Sequence, residues 1–432
     1  MYWNKIIETM PREELVSIQN DRLKSMVRRI YHNVPFYRNK FQEIGLFPED
    51  IKGIEDLHKL PFTTKQDMRD NYPYGLFAAD INDIVRLHAS SGTTGKPTVV
   101  GYTRKDINNW AEVCARSLVA AGGTAHSVIQ IAYGYGLFTG GLGLHYGAEH
   151  LGASTIPISS GNTDRQVMLM KDFNTTLLAC TPSYALYLAD ALEDAGISPE
   201  ELDLESGIFG AEPWSENMRT EIEKKLDISA HNIYGLSEIC GPGVASECFC
   251  KEGMHVWEDH FVPEIVDPST LETLPYGSTG ELIFSSISKE GIPLLRYRTR
   301  DLTVLNNEMC SCGRTHVRMG RVMGRTDDMI IIRGVNVFPS QIEDVLLEIG
   351  GIEPHYQLII TREGTLDYLE VLVEVTEELF SDKIKNMETL SNTISQKLNS
   401  VLQLSAKITL VEPRSIPRSE GKANRVIDKR HI

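Results

Sequence analysis

Residues 176–235 read TLLACTPSYALYLADALEDAGISPEELDLESGIFGAEPWSENMRTEIEKKLDISAHNIYG. Short apolar runs at the start, middle and end of this stretch are typical of buried strands, and the two segments between them carry apolar residues at helical spacing. Alternation of strands with helices of about 10 to 15 residues indicates βαβ units around a parallel sheet. The stretch therefore predicts an α/β fold.

The same alternation extends upstream to about residue 84, through the strand-like runs VIQIAYG and STIPIS. It predicts a doubly wound α/β sheet, in which ligands bind at the carboxyl ends of the strands. Residues 127–148 carry no formal charge over 22 positions, but their glycines and a glutamine favour a buried strand, a turn and a helix over a membrane span. The first 50 residues have apolar positions at threes and fours, which predicts helices packed on the main domain.

Downstream of Gly241 the sequence changes to short β segments and turns, which predicts a small β subdomain. Near Arg325 a further unit begins with the strand-like MIIIR, and Ser340 followed by Glu343 predicts a capping box at a helix start. We therefore expect three parts. They are a helical region over residues 1–80, an α/β domain with the β subdomain over 81–326, and a mobile α+β domain over 327–432.

The composition is that of a globular protein, with 432 residues, 41% hydrophobic, 24% charged and a formal net charge of −16. The negative charge argues against a general nucleic-acid binder, because such proteins neutralise phosphates with a basic face. Charges scattered through MYWNKIIETMPREELV exclude the apolar core of a signal peptide. We therefore expect a cytoplasmic protein with neither nucleic-acid nor membrane partners.

The loop SSGTTGKP follows the strand-like IVRLHA, and its chemistry suits phosphate binding. Small residues let the backbone approach a ligand, amide and hydroxyl groups donate to phosphate oxygens, and one lysine supplies charge. It is not a Walker loop, because Ser90 stands where that loop needs glycine and Pro97 where it needs serine or threonine. The candidate nucleotide-binding residues are Ser90, Ser91, Gly92, Thr93, Thr94, Gly95 and Lys96. A merely flexible loop is the alternative.

Five further motifs follow this loop in order, and with it they span more than 300 residues. They are Phe209-Gly210-Ala211-Glu212-Pro213, Tyr234-Gly235-Leu236-Ser237-Glu238, Tyr297-Arg298-Thr299-Arg300-Asp301, Gly324-Arg325-Thr326-Asp327-Asp328 and Ser419-Glu420-Gly421-Lys422. This set resembles the acyl-adenylate-forming enzyme superfamily. The surrounding text, including AYGYGLFTGG, YGLSEICGPGVA and IIRGVNVFPSQIE, resembles the phenylacetate–coenzyme A ligase family over nearly the whole chain.

The resemblance implies a site for ATP. Asp301 would accept both ribose hydroxyls, Glu238 would hold Mg²⁺ against the phosphates, and Thr94 would take part in catalysis. The residues implied around the base are Ala211, Glu212, Pro213, Tyr234, Gly235, Leu236 and Ser237. A solvated Glu238, an Arg–Asp ion pair at Asp301 and ordinary packing of Tyr234 are the competing interpretations.

Beyond the predicted domain joint, the resemblance implies further roles. Arg325 would contact ribose or phosphate, and Asp327 would be the hinge about which the small domain rotates. Arg333 and Gly334 would line a pantetheine tunnel. Lys422 would bridge the carboxylate and the α-phosphate in the transition state. A structural salt bridge at Arg325 and Asp327 and a solvated charge at Lys422 are the alternatives.

An acid pocket is expected beside the α-phosphate, in the segment AYGYGLFTGG. Aromatic walls with little charge suit an aryl carboxylate whose polar end points at ATP. The candidate lining residues are Tyr133, Tyr135, Phe138, Gly210, Ile233 and Pro242. Core packing explains any one of these aromatics equally well.

Two short clusters of sulfur and imidazole occur in the predicted β subdomain, SECFCKEGMH and MCSCGRTH. Four ligands drawn from them would suit a tetrahedral structural zinc ion. The favoured set is Cys248, His255, Cys310 and Cys312, with Cys250 or His316 as substitutes. Reduced free thiols are the alternative.

The expected activity is that of an aryl-acid–coenzyme A ligase, with phenylacetate as the first candidate. ATP and the carboxylate would form an acyl adenylate and pyrophosphate, and the thiol of coenzyme A would then displace AMP. Loading of a carrier-protein thiol and nucleotide binding without turnover are the two rival hypotheses. The partners are therefore small molecules, and a homodimer is expected.

Overall fold

The computed structural model describes residues 1–90, 97–327, 329–333, 335–363, 366–380, 384–402, 404–419 and 423–430. The chain divides into two compact units. The first comprises Met1–Cys180, Glu200–Ala211 and Ile228–Arg321, and the second comprises Thr181–Pro199, Glu212–Asp227 and Val322–Ile432. Two segments of the predicted α/β domain thus belong to the second unit, and the division at residues 80 and 326 stays a prediction.

The helices lie in both units. They are α1 (Lys5–Glu8), α2 (Arg12–Asn33), α3 (Pro35–Glu43), α4 (Lys65–Asp70), α5 (Arg104–Ala120), α6 (Gly140–Leu151), α7 (Thr163–Asp172), α8 (Pro182–Asp194), α9 (Glu216–Leu226), α10 (Pro339–Leu347), α11 (Glu377–Phe380) and α12 (Ile384–Leu402). Among the described residues, no helix combines the length and the apolar character needed to span a membrane. The uncharged residues 127–148 form β3 (Val128–Ile131), a turn and most of α6, as predicted.

The remaining strands follow in chain order. They are β1 (Ile84–Ser90), β2 (Thr98–Thr103), β4 (Ser154–Ile156), β5 (Leu177–Cys180), β6 (Ser206–Gly210), β7 (Ser229–Leu236), β8 (Gly241–Glu247), β9 (Met254–Val256), β10 (Phe261–Val266), β11 (Thr279–Ser286), β12 (Tyr297–Asn306), β13 (Arg318–Met319), β14 (Gly324–Arg325), β15 (Ile330–Ile332), β16 (Val335–Val337), β17 (Ile352–Glu363), β18 (Leu366–Val375), β19 (Lys407–Val411) and β20 (Val426–Asp428).

The main sheet of the first unit has a parallel part in the order β4, β3, β5, β6, β7. β5 and β6 are buried along their full lengths. Strands covered on both faces are continuous apolar or small-residue runs rather than alternating ones, which explains TLLAC and SGIFG. The predicted α/β class is confirmed, and the motif residues of the middle of the chain lie at the carboxyl ends of β6 and β7 and directly after them.

The β segments after Gly241 extend this sheet. β8 follows β7 through a turn too short for a parallel crossover, so the two strands pair antiparallel. The strands β9, β13, β12, β11 and β10 then continue the sheet in that order. The β segments predicted after Gly241 are therefore present, and they are bonded edge to edge with the parallel core.

A separate hairpin frames the predicted phosphate loop. β1 and β2 pair antiparallel, with Ser90 opposite Thr98 at the end nearest residues 91–96. The predicted strand before the loop is therefore present, but it pairs with the strand after the loop and belongs to a sheet of its own rather than to the parallel core.

The predicted amino-terminal helices are present and pack on the first unit. In α2 the side chains of Leu15, Leu23 and Ile30 are fully buried, and Arg12 forms an ion pair of 2.6 Å with the buried Glu258. The apolar spacing at threes and fours therefore covers the face that the sequence predicts to be buried.

The second unit contains a four-stranded sheet in the order β19, β18, β17, β20. β17 and β18 form an antiparallel hairpin, and β20 and β19 add to its two edges in parallel. The core packs apolar side chains of this hairpin against α10 and α12, with Leu358, Val371, Val373, Ile394 and Leu398 fully buried. The predicted α+β character of the carboxy-terminal region is confirmed.

The predicted capping box at Ser340 and Glu343 is wrong. The helix α10 begins at Pro339, and the Gln341 side chain accepts a hydrogen bond of 3.1 Å from the backbone N–H of Phe338. Proline fixes the first helical position because its φ is already helical. Glu343 instead turns inward, where it accepts a hydrogen bond of 3.1 Å from the Tyr356 hydroxyl.

Candidate active site

Ser90 and Thr98 close the β1–β2 hairpin at the mouth of the predicted phosphate loop. Their hydroxyl groups are hydrogen-bonded to each other. The Thr98 hydroxyl also donates to Glu238 Oε1 over 3.3 Å. The mouth of the loop therefore lies against the carboxylate that the sequence predicts as a Mg²⁺ ligand. The other predicted loop residues, Ser91, Gly92, Thr93, Thr94, Gly95 and Lys96, lie outside the described residues.

Glu238 lies in the turn between β7 and β8 and is 6% exposed. Within the described part of the chain, its carboxylate contacts the Thr98 hydroxyl and the Lys65 ammonium, the latter at 3.6 Å. Both distances are long for hydrogen bonds to a carboxylate, so the described residues leave most of its accepting capacity unused. A buried carboxylate in this condition suits a hard cation such as Mg²⁺.

The turn that carries Glu238 rests on a buried lysine that the sequence analysis missed. Lys289 Nζ donates to the backbone carbonyls of Ile239, at 3.0 Å, and Glu238, at 3.3 Å. The same ammonium lies 4.6 Å from the centre of the Tyr102 ring. Burial lowers the pKa of Lys289, while neighbouring acidic groups act in the opposite direction. Only the fold could identify this residue, because it lies about 50 positions from the turn it supports.

Tyr234 and Asp301, predicted to contact base and ribose, meet in the structure. The Tyr234 hydroxyl donates to Asp301 Oδ2 over 2.5 Å. The Tyr234 ring also stacks on Phe284, with ring centres 6.1 Å apart. Asp301 is 7% exposed on β12, directly after Arg300, whose φ of 70° is in the left-handed region. The two residues thus form one polar and aromatic surface beside the end of β7.

The other residues of the β7 motif lie at the end of β7 and at the start of the turn that follows it. Gly235 and Leu236 pair with Pro242 and Gly241 of β8. Ser237 Oγ is 2.9 Å from the hydroxyl of Thr139. These three predicted residues therefore fix the turn geometry around Glu238.

The segment after β6 carries the Ala-Glu-Pro motif. Gly210 ends β6 against β7, where an added Cβ would lie 2.1 Å from the Ile233 carbonyl oxygen, so this position requires glycine. Ala211 has a φ of 71°, a left-handed conformation that is uncommon for a residue with a side chain. Strained backbone of this kind concentrates at ligand sites.

Glu212 and Pro213 belong to the second unit. The Glu212 carboxylate accepts hydrogen bonds from the backbone N–H of Ser183, at 2.8 Å, and from that of Ala423, at 2.9 Å. Its side chain therefore joins the motif to the residue that follows Lys422. Lys422 itself lies outside the described residues.

The segment before Lys422 is held by a second carboxylate, which the sequence analysis also missed. Glu374 is fully buried. It accepts hydrogen bonds from the backbone N–H of Ile416 at 2.6 Å, from that of Arg414 at 3.1 Å, and from Arg418 Nη1 at 2.8 Å. Glu374 and Glu212 thus fasten the chain on both sides of residues 420–422.

The predicted acid-pocket residues divide into two groups. Tyr133 and Ile233 are buried in one apolar cluster, and Tyr135 packs against it. The Tyr135 hydroxyl lies 3.3 Å from His145 Nδ1, and burial raises the pKa of Tyr135. Phe138 is 40% exposed and lies outside the cluster. The structure places the two other predicted residues, Gly210 and Pro242, at the end of β6 and in β8.

Near the predicted hinge, Arg325 and Asp327 form a bidentate ion pair, with 2.9 Å from Nε to Oδ1 and 3.0 Å from Nη2 to Oδ2. Arg333 has a φ of 51° and donates to the backbone carbonyl of Ser405 at 2.9 Å. Gly334 lies outside the described residues. The ion pair is the structural salt bridge that the sequence analysis kept as an alternative, and the nucleotide, hinge and tunnel roles stay predictions.

The four favoured metal ligands come together. One donor atom from each of Cys248, His255, Cys310 and Cys312 lies within 4.8 Å of the other three, and all four residues are buried. Cys250 lies outside this group and accepts a contact of 3.4 Å from the Ser311 hydroxyl. The predicted quartet is thus a real juxtaposition in the fold.

Two domain families match the chain. The AMP-binding enzyme family matches residues 48–288, and the AMP-binding enzyme C-terminal domain family matches residues 334–430. The chain is also similar to curated enzymes named phenylacetate-coenzyme A ligase. Identity is 52% to that of Thermus thermophilus, with all of both chains covered, and 51% to that of Escherichia coli strain K12, with 99% of this chain and 97% of the relative covered.

Solved structures agree with this relationship. A 2-hydroxyisobutyryl-CoA ligase in its postadenylation state, in complex with 2-HIB-AMP, superposes with a TM-score of 0.93 at 29% identity, covering 99% of this chain and 92% of the other. The same enzyme with coenzyme A in its thioesterification state gives a TM-score of 0.74 at 30% identity, with the same coverage of both chains.

The class of protein follows from both lines of evidence: an adenylate-forming enzyme, with an AMP-binding domain and its C-terminal domain. The contacts of Thr98 with Glu238 and of Tyr234 with Asp301 lie beside the carboxyl end of β7, the kind of position where ligands bind in such sheets. Within this class the chain belongs to the phenylacetate–coenzyme A ligase family, a family of AMP-forming acid–thiol ligases. The family predicted from the motifs is confirmed.

Proposed function

We propose that this enzyme joins phenylacetate to coenzyme A and converts ATP to AMP and pyrophosphate. The observation that carries the proposal is the contact of 3.3 Å between Thr98, at the mouth of the phosphate loop, and Glu238. It brings two motifs of the ligase family, far apart in sequence, to one point. The full-length relatives named phenylacetate-coenzyme A ligase support the choice of acid.

In the first step, a carboxylate oxygen of the acid attacks the α-phosphorus of ATP, and the bond to pyrophosphate breaks. Catalysis of this kind depends on positioning and on charge placed where it develops. The loop residues 90–96, with Thr94 among them, would hold the phosphates. Tyr234 and Asp301 would hold base and ribose, which their hydrogen bond of 2.5 Å supports because it keeps the two side chains adjacent.

Glu238 would hold Mg²⁺ against these phosphates. Its burial and its long contacts with Thr98 and Lys65 leave carboxylate lone pairs for such an ion. When bound, Mg²⁺ supplies positive charge that offsets the charge of the phosphates. Lys289 would act as a positioning residue, because its ammonium donates a hydrogen bond to the backbone carbonyl of Glu238.

Lys422 would bridge the acid and the α-phosphate during the transfer. The hydrogen bond from the Ala423 N–H to Glu212 supports this role, because it ties the neighbour of Lys422 to the Ala-Glu-Pro motif. Glu374 holds the preceding segment in place. Holding the described residues on both sides of Lys422 would reduce the entropy lost when this lysine reaches its target.

In the second step, the sulfur of coenzyme A attacks the acyl carbon, AMP leaves and the thiol proton is released. The reaction needs no nucleophile from the enzyme. Asp327 would be the hinge between the two steps, and the two solved states of the 2-hydroxyisobutyryl-CoA ligase support a change of conformation. Rotation about Asp327 would break its ion pair with Arg325, freeing that guanidinium for the nucleotide. Arg333 and Gly334 would then line the tunnel.

The acid pocket would lie at the apolar cluster of Tyr133, Tyr135 and Ile233. Its aromatic and aliphatic composition favours an aryl acid. One methylene in such a pocket is worth about 1–3 kcal/mol, so phenylacetate is expected to exceed benzoate by about 10- to 200-fold in kcat/KM.

Pyrophosphate release with ATP and Mg²⁺ tests this function, across phenylacetate, benzoate and indoleacetate and with or without coenzyme A. We expect release that depends on phenylacetate and accelerates with coenzyme A, accompanied by AMP and thioester. Release that ignores coenzyme A would favour loading of a carrier protein, and silence with every acid would favour the binding-only alternative.

Lys422→Ala provides a sharper test, with Lys397→Ala as the matched control because Lys397 is half exposed on α12. We expect adenylate formation to fall by about 100-fold or more in Lys422→Ala, with ATP binding retained, since one preorganised charge is worth that much. The control should match the wild type. Full turnover by Lys422→Ala would contradict the proposed role.

We also propose that the enzyme acts in the cytoplasm as a homodimer. Cell fractionation and light scattering of the purified chain test these two predictions separately.

A further inference from the structure

A compact cluster of four sulfur and nitrogen donors lies in the first unit, built from three separate segments. Cys248 directly follows β8, His255 lies in β9, and Cys310 and Cys312 lie between β12 and β13. The four side chains are buried, with relative exposures of 0%, 0%, 2% and 7% respectively. The fold brings three thiols and one imidazole to one buried point, although they are spread over about 60 positions of sequence. Burying these polar groups costs free energy unless they share a binding partner.

Two donor–donor distances in the cluster match the edges of a zinc tetrahedron. Zn–S bonds of about 2.3 Å and Zn–N bonds of about 2.05 Å imply S···S edges of about 3.8 Å and S···N edges of about 3.6 Å. Cys248 Sγ lies 3.8 Å from Cys310 Sγ. Cys312 Sγ lies 3.5 Å from His255 Nε2. A disulfide needs about 2.05 Å between sulfurs, and none of the seven cysteines, all of which lie within the described residues, forms one.

The backbone around the cluster presents the sulfurs in two similar tight turns. Lys251 N–H donates to the Cys248 carbonyl at 2.9 Å, and Gly313 N–H donates to the Cys310 carbonyl at 2.8 Å. The last residue of each turn is left-handed, with φ of 53° at Lys251 and 87° at Gly313. The Arg314 N–H then points at Cys312 Sγ over 3.4 Å, a bond that favours the thiolate form.

The two substitute ligands have other partners. His316 Nδ1 accepts from the Glu258 N–H at 2.9 Å, and its Nε2 lies 3.1 Å from the Ile7 carbonyl. Both ring nitrogens of His316 are therefore engaged by backbone groups. Cys250, which contacts the Ser311 hydroxyl, is only partly buried at the edge of the cluster. The structure selects the quartet of Cys248, His255, Cys310 and Cys312.

Charge compensation also fits a bound dication. Three thiolates and Zn²⁺ carry one net negative charge, and the fully buried Arg314 places Nη1 3.5 Å from Cys312 Sγ. The Nε of the same guanidinium pairs with the fully buried Glu8 at 2.8 Å. Arg314 thus connects the cluster to helix α1.

The loop that closes the cluster also carries the amino-terminal segment. Arg314 Nη2 donates to the Met1 carbonyl at 2.8 Å, and the Thr315 hydroxyl donates to the Met10 carbonyl at 2.6 Å. The Tyr2 hydroxyl donates to the Cys312 carbonyl. Residues 1–10 therefore dock on a surface whose shape depends on residues 310–316.

We propose that Cys248, His255, Cys310 and Cys312 bind one Zn²⁺ tetrahedrally, and that this ion fixes the loop to which residues 1–10 are anchored. Four protein ligands leave no open coordination position, so the ion is structural and takes no part in the ligase reaction. The proposal is independent of the choice of acid, because metal content is measured without turnover.

Elemental analysis of the full-length protein tests the site, with Cys310→Ser as the variant and Cys250→Ser as the matched control. We expect about one zinc per chain in the wild type and in Cys250→Ser, and at least a tenfold loss in Cys310→Ser. Expression with cobalt in place of zinc should give the intense visible bands of tetrahedral Co²⁺ with thiolate ligands. Wild-type protein with neither zinc nor cobalt, or full zinc in Cys310→Ser, would overturn the proposal.

Hydrogen exchange tests whether the ion fixes the loop to which residues 1–10 are anchored. Backbone amides of residues 5–10 should exchange at least tenfold faster in Cys310→Ser than in Cys250→Ser, because the anchoring loop loses its ion. If Cys310→Ser does not fold, the metal content and cobalt spectrum of the wild type decide the site. Amide exchange of residues 5–10 in the wild type after brief chelation then tests the anchoring. Unchanged protection of these amides would contradict the proposed anchoring.

Discussion

Two buried carboxylates in this molecule are held in opposite ways. Glu374 on β18 is fully buried and accepts three hydrogen bonds of 2.6, 2.8 and 3.1 Å. Glu238, after β7, is nearly as buried, but its described contacts are 3.3 and 3.6 Å long. A carboxylate whose lone pairs are filled by its own chain stabilises the fold, whereas one with unused capacity is available to a ligand.

The largest effect is expected at the available carboxylate. Glu238→Gln keeps the size of the side chain and removes the charge that would face Mg²⁺ and the phosphates. We expect kcat/KM for ATP to fall by about 100- to 1,000-fold, the usual loss for one preorganised electrostatic group. The free energy of unfolding should change by less than about 1 kcal/mol, because few strong contacts are lost. Steady-state kinetics and urea unfolding measure the two quantities.

Glu272→Gln is the matched control for this variant, because Glu272 is exposed on the same unit. It should leave both rate and stability unchanged. A Glu238→Gln enzyme with normal kinetics and a lower free energy of unfolding would contradict the ligand role. Glu238 would then be a structural carboxylate like Glu374.

The second effect is expected at the saturated carboxylate. Glu374→Gln removes the charge that pairs with Arg418 at 2.8 Å and gives the Arg414 and Ile416 amides a weaker acceptor. Breaking a buried ion pair by changing one partner costs about 3 kcal/mol, and we expect a loss of that size in the free energy of unfolding. Urea unfolding followed by fluorescence measures it.

The matched control is Glu377→Gln, an exposed residue of α11. Its effect should stay within about 0.5 kcal/mol. Equal stability of Glu374→Gln and Glu377→Gln would mean that saturation by short hydrogen bonds does not distinguish a structural carboxylate in this fold.

Local patterns in the sequence predicted most of the secondary structure, because hydrophobic period and turn residues lie within a few positions of each other. The strands TLLAC and SGIFG and the intervening helix are examples. The capping signal at Ser340 and Glu343 is misleading because Pro339 sets the helix start and Glu343 has its hydrogen-bond partner, Tyr356, in the interior. The continuation of the sheet beyond β7 also depends on pairing that no local window contains.

The site was predictable to the extent that rare residue types mark it. Cysteines are few, so two short clusters were enough to propose the metal quartet. The contact between Thr98 and Glu238 joins residues 140 positions apart, and that between Glu212 and Ala423 joins residues 211 apart. Common residues paired over such separations carry no signal in a single sequence, which is why Lys289 and Glu374 emerged only from the structure.

A third prediction concerns a carboxylate of intermediate character, Asp190 on α8. Burial would raise its pKa, but His355 and Lys225 outweigh burial and lower the pKa from 3.8 to about 2. Because the folded pKa is below the unfolded value, Asp190 stabilises the fold fully above about pH 5, and this contribution is lost as pH falls through 2. It amounts to about 2 kcal/mol at pH 6 and about 1 kcal/mol at pH 3.

The measurement is the difference in free energy of unfolding between wild type and Asp190→Asn at these two pH values. We expect the difference to shrink by about 1 kcal/mol at the lower pH. Gln396→Ala is the control, since Gln396 is exposed on α12 and carries no titrating group, and its difference should not change with pH. A constant difference for Asp190→Asn would mean that the Lys225 contact of 2.7 Å does not hold the charge.

The smallest effect is expected at the Tyr234–Asp301 pair. It decides whether Asp301 is a structural carboxylate like Glu374 or a ligand-binding carboxylate like Glu238. Tyr234→Phe keeps the ring and removes the hydroxyl that donates to Asp301 over 2.5 Å. A single hydrogen bond of this kind is worth about 1 kcal/mol, or about fivefold. If Asp301 receives the ribose, KM for ATP should rise about fivefold with kcat within twofold and stability retained, as measured by initial rates and urea unfolding.

A loss of stability with unchanged KM would give Tyr234 and Asp301 the character of Glu374, a pair satisfied by the chain itself. Tyr276→Phe, at an exposed tyrosine of the same unit, should change neither quantity and serves as the control. The comparison is sharpest here because Asp301 already has a short hydrogen bond. A rise in KM would show that filled lone pairs do not exclude a ligand role when the donor is itself part of the binding surface.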